Sequence, residues 1–138
     1  MTRFVLDCSV TMSWCFEDEQ DSYATAILDM LGPSQGVTPS MWPLEVANVL
    51  LVGERRNRLT RAASSRFLAL LASLPLTIDE TAPVQILDKI LALARQHDLS
   101  SYDAAYLELA MREGLPIATL DEKLRRAAQS SGIAIVGA

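Results

Sequence analysis

Hydrophobic and polar positions alternate along the chain with two different periods, and this predicts strands separated by helices. Short apolar runs typical of buried strands occur at residues 3–8, 37–38, 76–78, 117–119 and 133–136. Apolar residues recur with helical spacing at residues 20–31, 41–59, 60–74, 83–97 and 101–113, and a turn and another helix follow residue 119. Strands that alternate with helices favour an α/β fold with a parallel sheet.

Several helix ends carry recognisable signals. Gly32 and Pro33 close the first helix, and Pro43 falls in the first turn of the second. Thr60 is placed as an N-cap of the third helix, and Gly114 follows the helix at 101–113 as a residue that ends it. We therefore predict one domain over residues 1–138, a three-layer α/β sandwich with helices on both faces of a mostly parallel sheet of about four to five strands.

The helix predicted at residues 83–97 carries two adjacent apolar stripes. One consists of Val84, Leu87, Leu91 and Ala94, and the other of Ile86, Ile90 and Leu93. One half of this wide face is expected to cover the sheet. The other half either serves a subunit or partner interface or is buried more deeply in the core.

Composition places the chain among ordinary soluble globular proteins. Half of its residues are hydrophobic and 21% are charged, which is too apolar for disorder. Cys8 and Cys15 match neither a disulfide framework nor a Cys/His metal pattern. The sequence shows neither a secretory signal nor an apolar run of the roughly 18 residues that a membrane span needs. A cytoplasmic location is expected.

Four carboxylates are predicted at one edge of the sheet. Asp7 ends the first strand, and Asp121 follows the strand at 117–119 by two residues. Glu45 and Asp103 lie near the starts of helices that such a fold presents at the same edge. Each has a simpler structural role open to it: an N-cap for Asp121, a helix-dipole partner for Asp103, and an arginine pair for Asp7. Glu45 is harder to explain, because its helix is otherwise mostly apolar.

Crowded carboxylates need neutralisation, because two charges about 5 Å apart repel by about 3 kcal/mol at an effective dielectric near 20. Raised pKa values, nearby basic side chains or a divalent cation would each relieve the repulsion. With His97 as the single imidazole, expected at a helix end or on the surface, oxygen ligands favour Mg²⁺ or Mn²⁺ over zinc. Committing four acids to such a site would leave the rest of the chain near neutral, so the net charge of −5 does not exclude a polyanionic substrate.

Four segments, FVLDCSVTMSW, WPLEVANVL, SSYDAAYLELA and LPIATLDEKL, resemble in order and spacing the acidic blocks of PIN-domain ribonucleases, and most closely the VapC-type toxins of toxin–antitoxin pairs. The resemblance spans about residues 3–136. It implies a PIN-like fold and Mg²⁺-dependent cleavage of single-stranded RNA, with Mn²⁺ as a substitute. A metal-activated water would leave 5′-phosphate and 3′-hydroxyl ends.

The resemblance also implies roles for individual residues and partners. Asp7 and Asp103 are expected as the principal Mg²⁺ ligands, with Glu45 and Asp121 completing the site. Support by hydrogen bonds is expected from Thr119, Ser9 and Asn48. Independently of the resemblance, Lys123, Arg125 and Arg126 lie just beyond Asp121 and are expected to bind phosphates of the RNA. A second basic group at Arg55, Arg56, Arg58 and Arg61 is either an RNA contact or a solvated helix end. The expected partners are RNA, a VapB-type antitoxin in the active-site groove, and a second copy of the chain.

Other functions fit the same acidic edge. One is a catalytically idle PIN-like module that regulates through a partner. Less favoured are a phosphotransfer receiver and another acidic-site phosphohydrolase, such as a haloacid-dehalogenase-like phosphatase. The latter needs a second aspartate two residues after Asp7, where this chain has Ser9.

Overall fold

The computed structural model describes residues 2–137, over which four strands and seven helices alternate. In chain order these are β1 (Arg3–Leu6), α1 (Cys8–Ser13), α2 (Ser22–Met30), β2 (Gln35–Thr38), α3 (Trp42–Arg55), α4 (Arg61–Ser73), β3 (Leu76–Ile78), α5 (Leu87–His97), α6 (Ser101–Glu113), β4 (Ile117–Ala118) and α7 (Glu122–Ser130). Short 3₁₀ turns lie at Glu17–Glu19 and Pro83–Gln85. Within this part of the chain, no helix combines the length and the apolar character that crossing a membrane requires.

The four strands form one parallel sheet in the order β3-β2-β1-β4. Val5 of β1 lies beside Val37 of β2 on one side and Ile117 of β4 on the other. Because all four strands run the same way, their carboxyl ends meet at one edge of the sheet. The loops that leave β1 and β4 are therefore neighbours at that edge.

The core occupies both faces of the sheet, because successive side chains of β1 point to opposite sides. Val5 packs into a cluster that contains Val46 of α3 and Leu107 of α6. Phe4 and Leu6 pack into a second cluster with Ile27 of α2. Helices thus cover both faces, and the predicted three-layer α/β architecture is confirmed.

Two elements have boundaries that differ from the predicted ones, because a helical turn within an apolar segment gives no separate signal in the sequence. The strand predicted at residues 3–8 ends at Leu6, and Cys8 already belongs to α1. Nearly every residue of α1 is buried, so the helix lacks the polar stripe by which amphipathic helices are recognised. The helix predicted at residues 83–97 is a 3₁₀ turn followed by α5, which begins at Leu87.

Two further boundaries follow from backbone conformation. The helix predicted at residues 41–59 ends at Arg55, and Asn57 adopts a left-handed conformation with φ of 58°. The strand predicted at residues 133–136 is reduced to a single parallel bridge between Ile135 and Ile117. The end signals at Thr60 and Gly114 are confirmed: the Thr60 hydroxyl accepts the Ala63 N–H, and Gly114 has φ of 64°.

The two predicted stripes of the segment that contains α5 differ in exposure, although Ala94 of the first stripe is half-buried and packs against the core. Ile90 is buried and Ile86 and Leu93 are half-buried, so this stripe faces the core. Val84 is 77% exposed, Leu87 47% and Leu91 39%. This exposed set, which we call the α5 stripe, leaves an apolar surface on the domain.

The guanidinium group of Arg112 in α6 connects that helix to the segment after β3 through hydrogen bonds. Glu108 of α6 is buried, and Arg112 donates to both of its carboxylate oxygens, with Nη2 at 3.0 Å from Oε1. Arg112 Nη2 also donates to Asp79 Oδ2 at 2.8 Å, and Nη1 donates to the Thr81 hydroxyl. These bonds raise the pKa of Arg112 and neutralise a carboxylate that would be costly to bury alone.

Replacing Arg112 with methionine is expected to lower the free energy of unfolding by about 3 kcal/mol, because Glu108 then stays buried without its cation. Urea denaturation at neutral pH measures the loss. The double variant Glu108→Gln, Arg112→Met should recover part of it, since no full charge then remains buried beside the lost guanidinium. Equal urea midpoints for Arg112→Met and the unaltered protein would contradict this account.

Candidate active site at the carboxyl edge of the sheet

Four different elements bring the predicted acids to the carboxyl edge. Asp7 is the first residue after β1, and Asp121 immediately precedes α7 in the connection from β4. Glu45 and Asp103 lie in the first turns of α3 and α6. Asp7 is 4% exposed, and the other three side chains are half-buried.

The Asp7 carboxylate is held by hydroxyl groups from two loops. Thr119 Oγ1 donates to Asp7 Oδ2 at 2.6 Å, and Ser9 Oγ donates to the same oxygen at 2.7 Å. Ser9 Oγ in turn accepts the Leu120 N–H, and Thr119 Oγ1 accepts the Asp121 N–H, both at 3.0 Å. The network fixes the loop after β1 against the loop after β4 and leaves Oδ1 of Asp7 free of hydroxyl donors.

Asp121 and Glu45 also use one carboxylate oxygen each for structure. Asp121 Oδ1 accepts the Leu124 N–H at 2.9 Å, so the N-cap role considered from the sequence is confirmed. Glu45 Oε1 accepts the hydroxyl of fully buried Tyr106 at 2.5 Å. Tyr106 was not predicted as a site residue, although it follows Asp103 by three positions and so lies on the same face of α6.

Burial and repulsion raise the pKa values of Asp7, Glu45 and Asp103. Burial is the largest cause for Asp7, with a smaller contribution from Asp121, and the Thr119 and Ser9 hydroxyls oppose the rise in its pKa. Burial followed by repulsion from Asp7 and Asp121 raises the pKa of Asp103 to about 6. Asp103 therefore holds its proton at pH values where an ordinary aspartate is ionised.

Glu45 belongs to the same electrostatic group. Burial raises its pKa first, repulsion from Asp7 and Asp103 adds to the rise, and the Tyr106 hydroxyl opposes it. Asp7 and Asp103 thus repel each other and both remaining acids, whereas no repulsion between Glu45 and Asp121 contributes. Electrostatically, Asp7 and Asp103 are therefore the central members of the group, because each interacts with all of the others.

No basic side chain neutralises this group by direct contact. Across residues 2–137, every ion pair that lysine or arginine forms is with an acid other than these four. Lys123 lowers the pKa of Asp103 slightly, but its Nζ donates to Asp98 Oδ2 at 3.0 Å. The alternative in which Asp7 pairs with a buried arginine is therefore excluded.

The donor set of the site fits a hard divalent cation. Carboxylate and hydroxyl oxygens are the ligands that Mg²⁺ and Mn²⁺ prefer, and the described hydrogen bonds of Asp7, Glu45 and Asp121 each occupy only one carboxylate oxygen. As they stand, however, no three acidic, cysteine or histidine side chains of residues 2–137 lie close enough to share an ion. An ion held by one or two of these carboxylates, with waters as its remaining ligands, is compatible with this spacing.

The remaining predicted residues lie at different distances from this chemistry. Asn48 is exposed one helical turn beyond Glu45, and both line a groove beside the acids. His97 is the last residue of α5, as expected, and its Nε2 lies 3.4 Å from the Ser131 hydroxyl. Arg58, from the second basic group, pairs with Asp18 and Glu19.

The three predicted RNA-binding residues of α7 differ in availability. Arg125 donates to the Thr119 carbonyl at 2.9 Å and lies over the Tyr23 ring at 5.0 Å, which makes it part of the fold. Lys123 is tied to Asp98, although it is 61% exposed. Arg126 makes only a loose pair with Glu122 at 3.6 Å, and both side chains are about 70% exposed.

Comparison with known proteins places the chain in a structural context. The sequence profile of the PIN domain matches residues 4–130. PAE2754 from Pyrobaculum aerophilum has a similar fold, with a TM-score of 0.70 and 23% identity over 91% of this chain and 84% of that one. No protein with a curated description matches this chain.

Two further solved structures share the fold at lower identity. The toxin–antitoxin complex from Klebsiella pneumoniae has a TM-score of 0.59 and 17% identity, with 86% of both chains covered. Mycobacterium tuberculosis VapC20, a toxin that cleaves the sarcin–ricin loop, has a TM-score of 0.66 and 16% identity, with 96% of this chain and 98% of that one covered. These similarities establish the fold.

Metal-free protein is expected to lose stability as pH rises. The folded state holds the Asp103 proton up to about pH 6, whereas the unfolded chain releases it near pH 3.8. The free energy of unfolding therefore decreases as the pH rises from 3.8 to about 6. In EDTA, urea midpoints should be higher near pH 5 than near pH 7.5. Asp103→Asn should flatten this dependence and add about 1 kcal/mol at neutral pH, allowing for solvent screening.

The exposed carboxylate of Asp29 in α2 provides a matched control, because Asp29→Asn lies outside the site and should leave the pH dependence unchanged. If Asp103→Asn kept the full slope of the unaltered protein, the electrostatic description of the site would be wrong.

Proposed function

The chain belongs to the PIN domain family, and from this premise we propose that it is a metal-dependent endoribonuclease that acts on single-stranded RNA. The observation that supports the proposal is the group of four acids at one edge of the sheet. Burial and repulsion raise the pKa values of Asp7, Glu45 and Asp103, and no basic residue described in the structure forms an ion pair with any of the four. A divalent cation would relieve that repulsion and supply charge for chemistry at a phosphate.

In this proposal Asp7 and Asp103 hold a Mg²⁺ ion, for which Mn²⁺ can substitute, and Glu45 and Asp121 complete its surroundings. The ion, when bound, activates a water and offsets charge on the scissile phosphate, so that hydrolysis leaves a 5′-phosphate and a 3′-hydroxyl. Thr119 and Ser9 keep the Asp7 carboxylate oriented through their hydrogen bonds to Oδ2. Tyr106 does the same for Glu45.

We propose that the chain acts as the toxin of a toxin–antitoxin pair in the cytoplasm, with a VapB-type antitoxin as its partner. Support comes from two of the structures with the same fold, one a toxin–antitoxin complex and the other an RNA-cleaving toxin. The fold similarity covers nearly the whole of this chain and of VapC20.

The proposed toxin forms a homodimer through the α5 stripe. Val84, Leu87 and Leu91 expose apolar surface on one side of the domain, while Ile90 on the other side of α5 packs into the core. Burying such a surface against its symmetry mate is a common basis for dimers with twofold symmetry.

A catalytically idle binding module is the second candidate. It is favoured by the spacing of the acids, since no three of the described side chains suited to metal binding are close enough to share an ion. An idle module would bind partners without a cation among the acids, whereas a nuclease must hold one there.

Purified protein is expected to cleave total single-stranded RNA in Mg²⁺ or Mn²⁺, to stop in EDTA, and to leave 5′-phosphate ends that can be mapped by ligation. Asp103→Asn should lower the cleavage rate at least about a hundredfold, because it removes a central ligand while preserving side-chain shape. Asp29→Asn is the matched control. Full activity in folded Asp103→Asn, or inactive unaltered protein with both ions, would favour the idle module.

Arg126→Ala is expected to weaken RNA binding and to reduce the slope of log Kd against log salt concentration by about 0.7, the contribution of one phosphate contact to a single strand. Fluorescence anisotropy in the cleavage-deficient Asp103→Asn background measures both quantities. Arg66→Ala on the exposed surface of α4 serves as control. An unchanged salt slope for Arg126→Ala would remove Arg126 from the RNA-binding surface.

A further inference from the structure

A mostly apolar groove adjoins the acids on the side of α3. Its volume is about 460 Å³, and its walls include Met41, Leu44 and Asn48 of the α3 region together with Tyr102 of α6. Glu45 is its one ionisable carboxylate, so the groove opens directly onto the end of the acidic group. Nothing in the proposed hydrolysis uses these apolar walls.

Two of the wall residues are unusually exposed for their size. Leu44 is 74% exposed and Tyr102 is 59% exposed, and each is the immediate chain neighbour of a proposed site residue, Glu45 or Asp103. Within residues 2–137 the Tyr102 hydroxyl forms no hydrogen bond, so no polar contact fixes its ring. Buried Tyr106 on the same helix differs, because its hydroxyl donates to Glu45. Tyr102 thus presents an aromatic ring at the rim of the site.

We propose that this groove binds one unpaired nucleobase of the RNA, next to the scissile phosphate, with Tyr102 stacking on the base. The inference rests on the proposed nuclease function and identifies how the substrate is positioned. Aromatic side chains hold bases of single strands by stacking on their faces. The apolar walls suit a neutral base, whereas the acids suit the cation that receives the adjoining phosphate.

Asn48 completes the subsite at its exposed edge. Its side-chain amide offers both a donor and an acceptor, which is what the polar edge of a base requires. Asn48 lies one turn of α3 beyond Glu45 and borders the same groove. In this arrangement Tyr102 supplies affinity and Asn48 supplies discrimination among bases.

The test uses the cleavage site mapped in total RNA and a short single-stranded RNA that spans it. Tyr102→Ala should raise KM about tenfold with little change in kcat, because stacking positions the substrate without entering the chemistry. Tyr102→Phe should restore KM, since the ring is retained. Leu68→Ala, an exposed leucine of α4 outside the groove, is the matched control.

A thermodynamic cycle then locates the contact. The same RNA is prepared with an abasic ribose at each position flanking the cleaved bond, and its Kd is measured by anisotropy in Asp103→Asn and in Asp103→Asn, Tyr102→Ala. At one position, the losses of binding free energy caused by removing the base and by removing the Tyr102 ring should not be additive, because each change deletes the same contact. Additive losses at every position, or an unchanged KM in Tyr102→Ala, would overturn the proposal.

Other occupants of the groove predict different results. If a second copy of the chain covers Tyr102, Tyr102→Ala should dissociate the dimer in sedimentation, and that result would overturn the nucleobase proposal. If only an antitoxin segment binds there, RNA cleavage is unchanged while inhibition is lost. Absence of cleavage by the unaltered protein would instead refute the nuclease function itself, so the two failures are distinguishable.

Discussion

The buried carboxylate of Asp7 is the interaction on which the rest of the site depends. An ionised carboxylate that is 4% exposed is costly to desolvate, and two hydroxyl donors on one of its oxygens offset part of that cost. Those hydroxyls belong to the loops after β1 and β4, so stabilising the charge also sets the distance between the loops. Asp121 is positioned by the same contacts, because its N–H donates to the Thr119 hydroxyl.

The acids divide their oxygens between structure and chemistry. Oδ2 of Asp7, Oε1 of Glu45 and Oδ1 of Asp121 accept hydrogen bonds that hold the side chains in place. Each residue keeps a second oxygen that these bonds leave free, and repulsion among the acids works against folding at neutral pH. A domain stable by only about 5 to 15 kcal/mol tolerates such repulsion where function requires it. Pre-positioned but repelling carboxylates are poised to bind a cation.

The sequence predicted the parallel α/β architecture and an acidic edge of the sheet because both follow from short-range patterns. Apolar runs and helix-end residues located the strands, and the carboxyl ends of parallel strands had to share an edge. It did not predict α1, since a buried helix directly after a buried strand shows no change of period. Tertiary packing determines the hydrogen bond between Glu45 and Tyr106, which are separated by 61 positions. It also determines the contacts of Arg125 with the Thr119 carbonyl and the Tyr23 ring. Charge alone had made Arg125 look available to RNA.

The acidic character of the chain constrains how it would hold RNA. Arg58, Arg112 and Lys123 are engaged with carboxylates, and the chain carries a formal net charge of −5, which opposes the approach of a polyanion. Contacts that negative charge does not weaken then matter more: a phosphate neutralised by a divalent cation, and a base held by apolar walls. Both contacts are available at the same edge of the sheet. Asp103 belongs to the acidic group there, and its chain neighbour Tyr102 borders the apolar groove. A single turn of α6 would thus serve both the charged and the neutral part of a nucleotide.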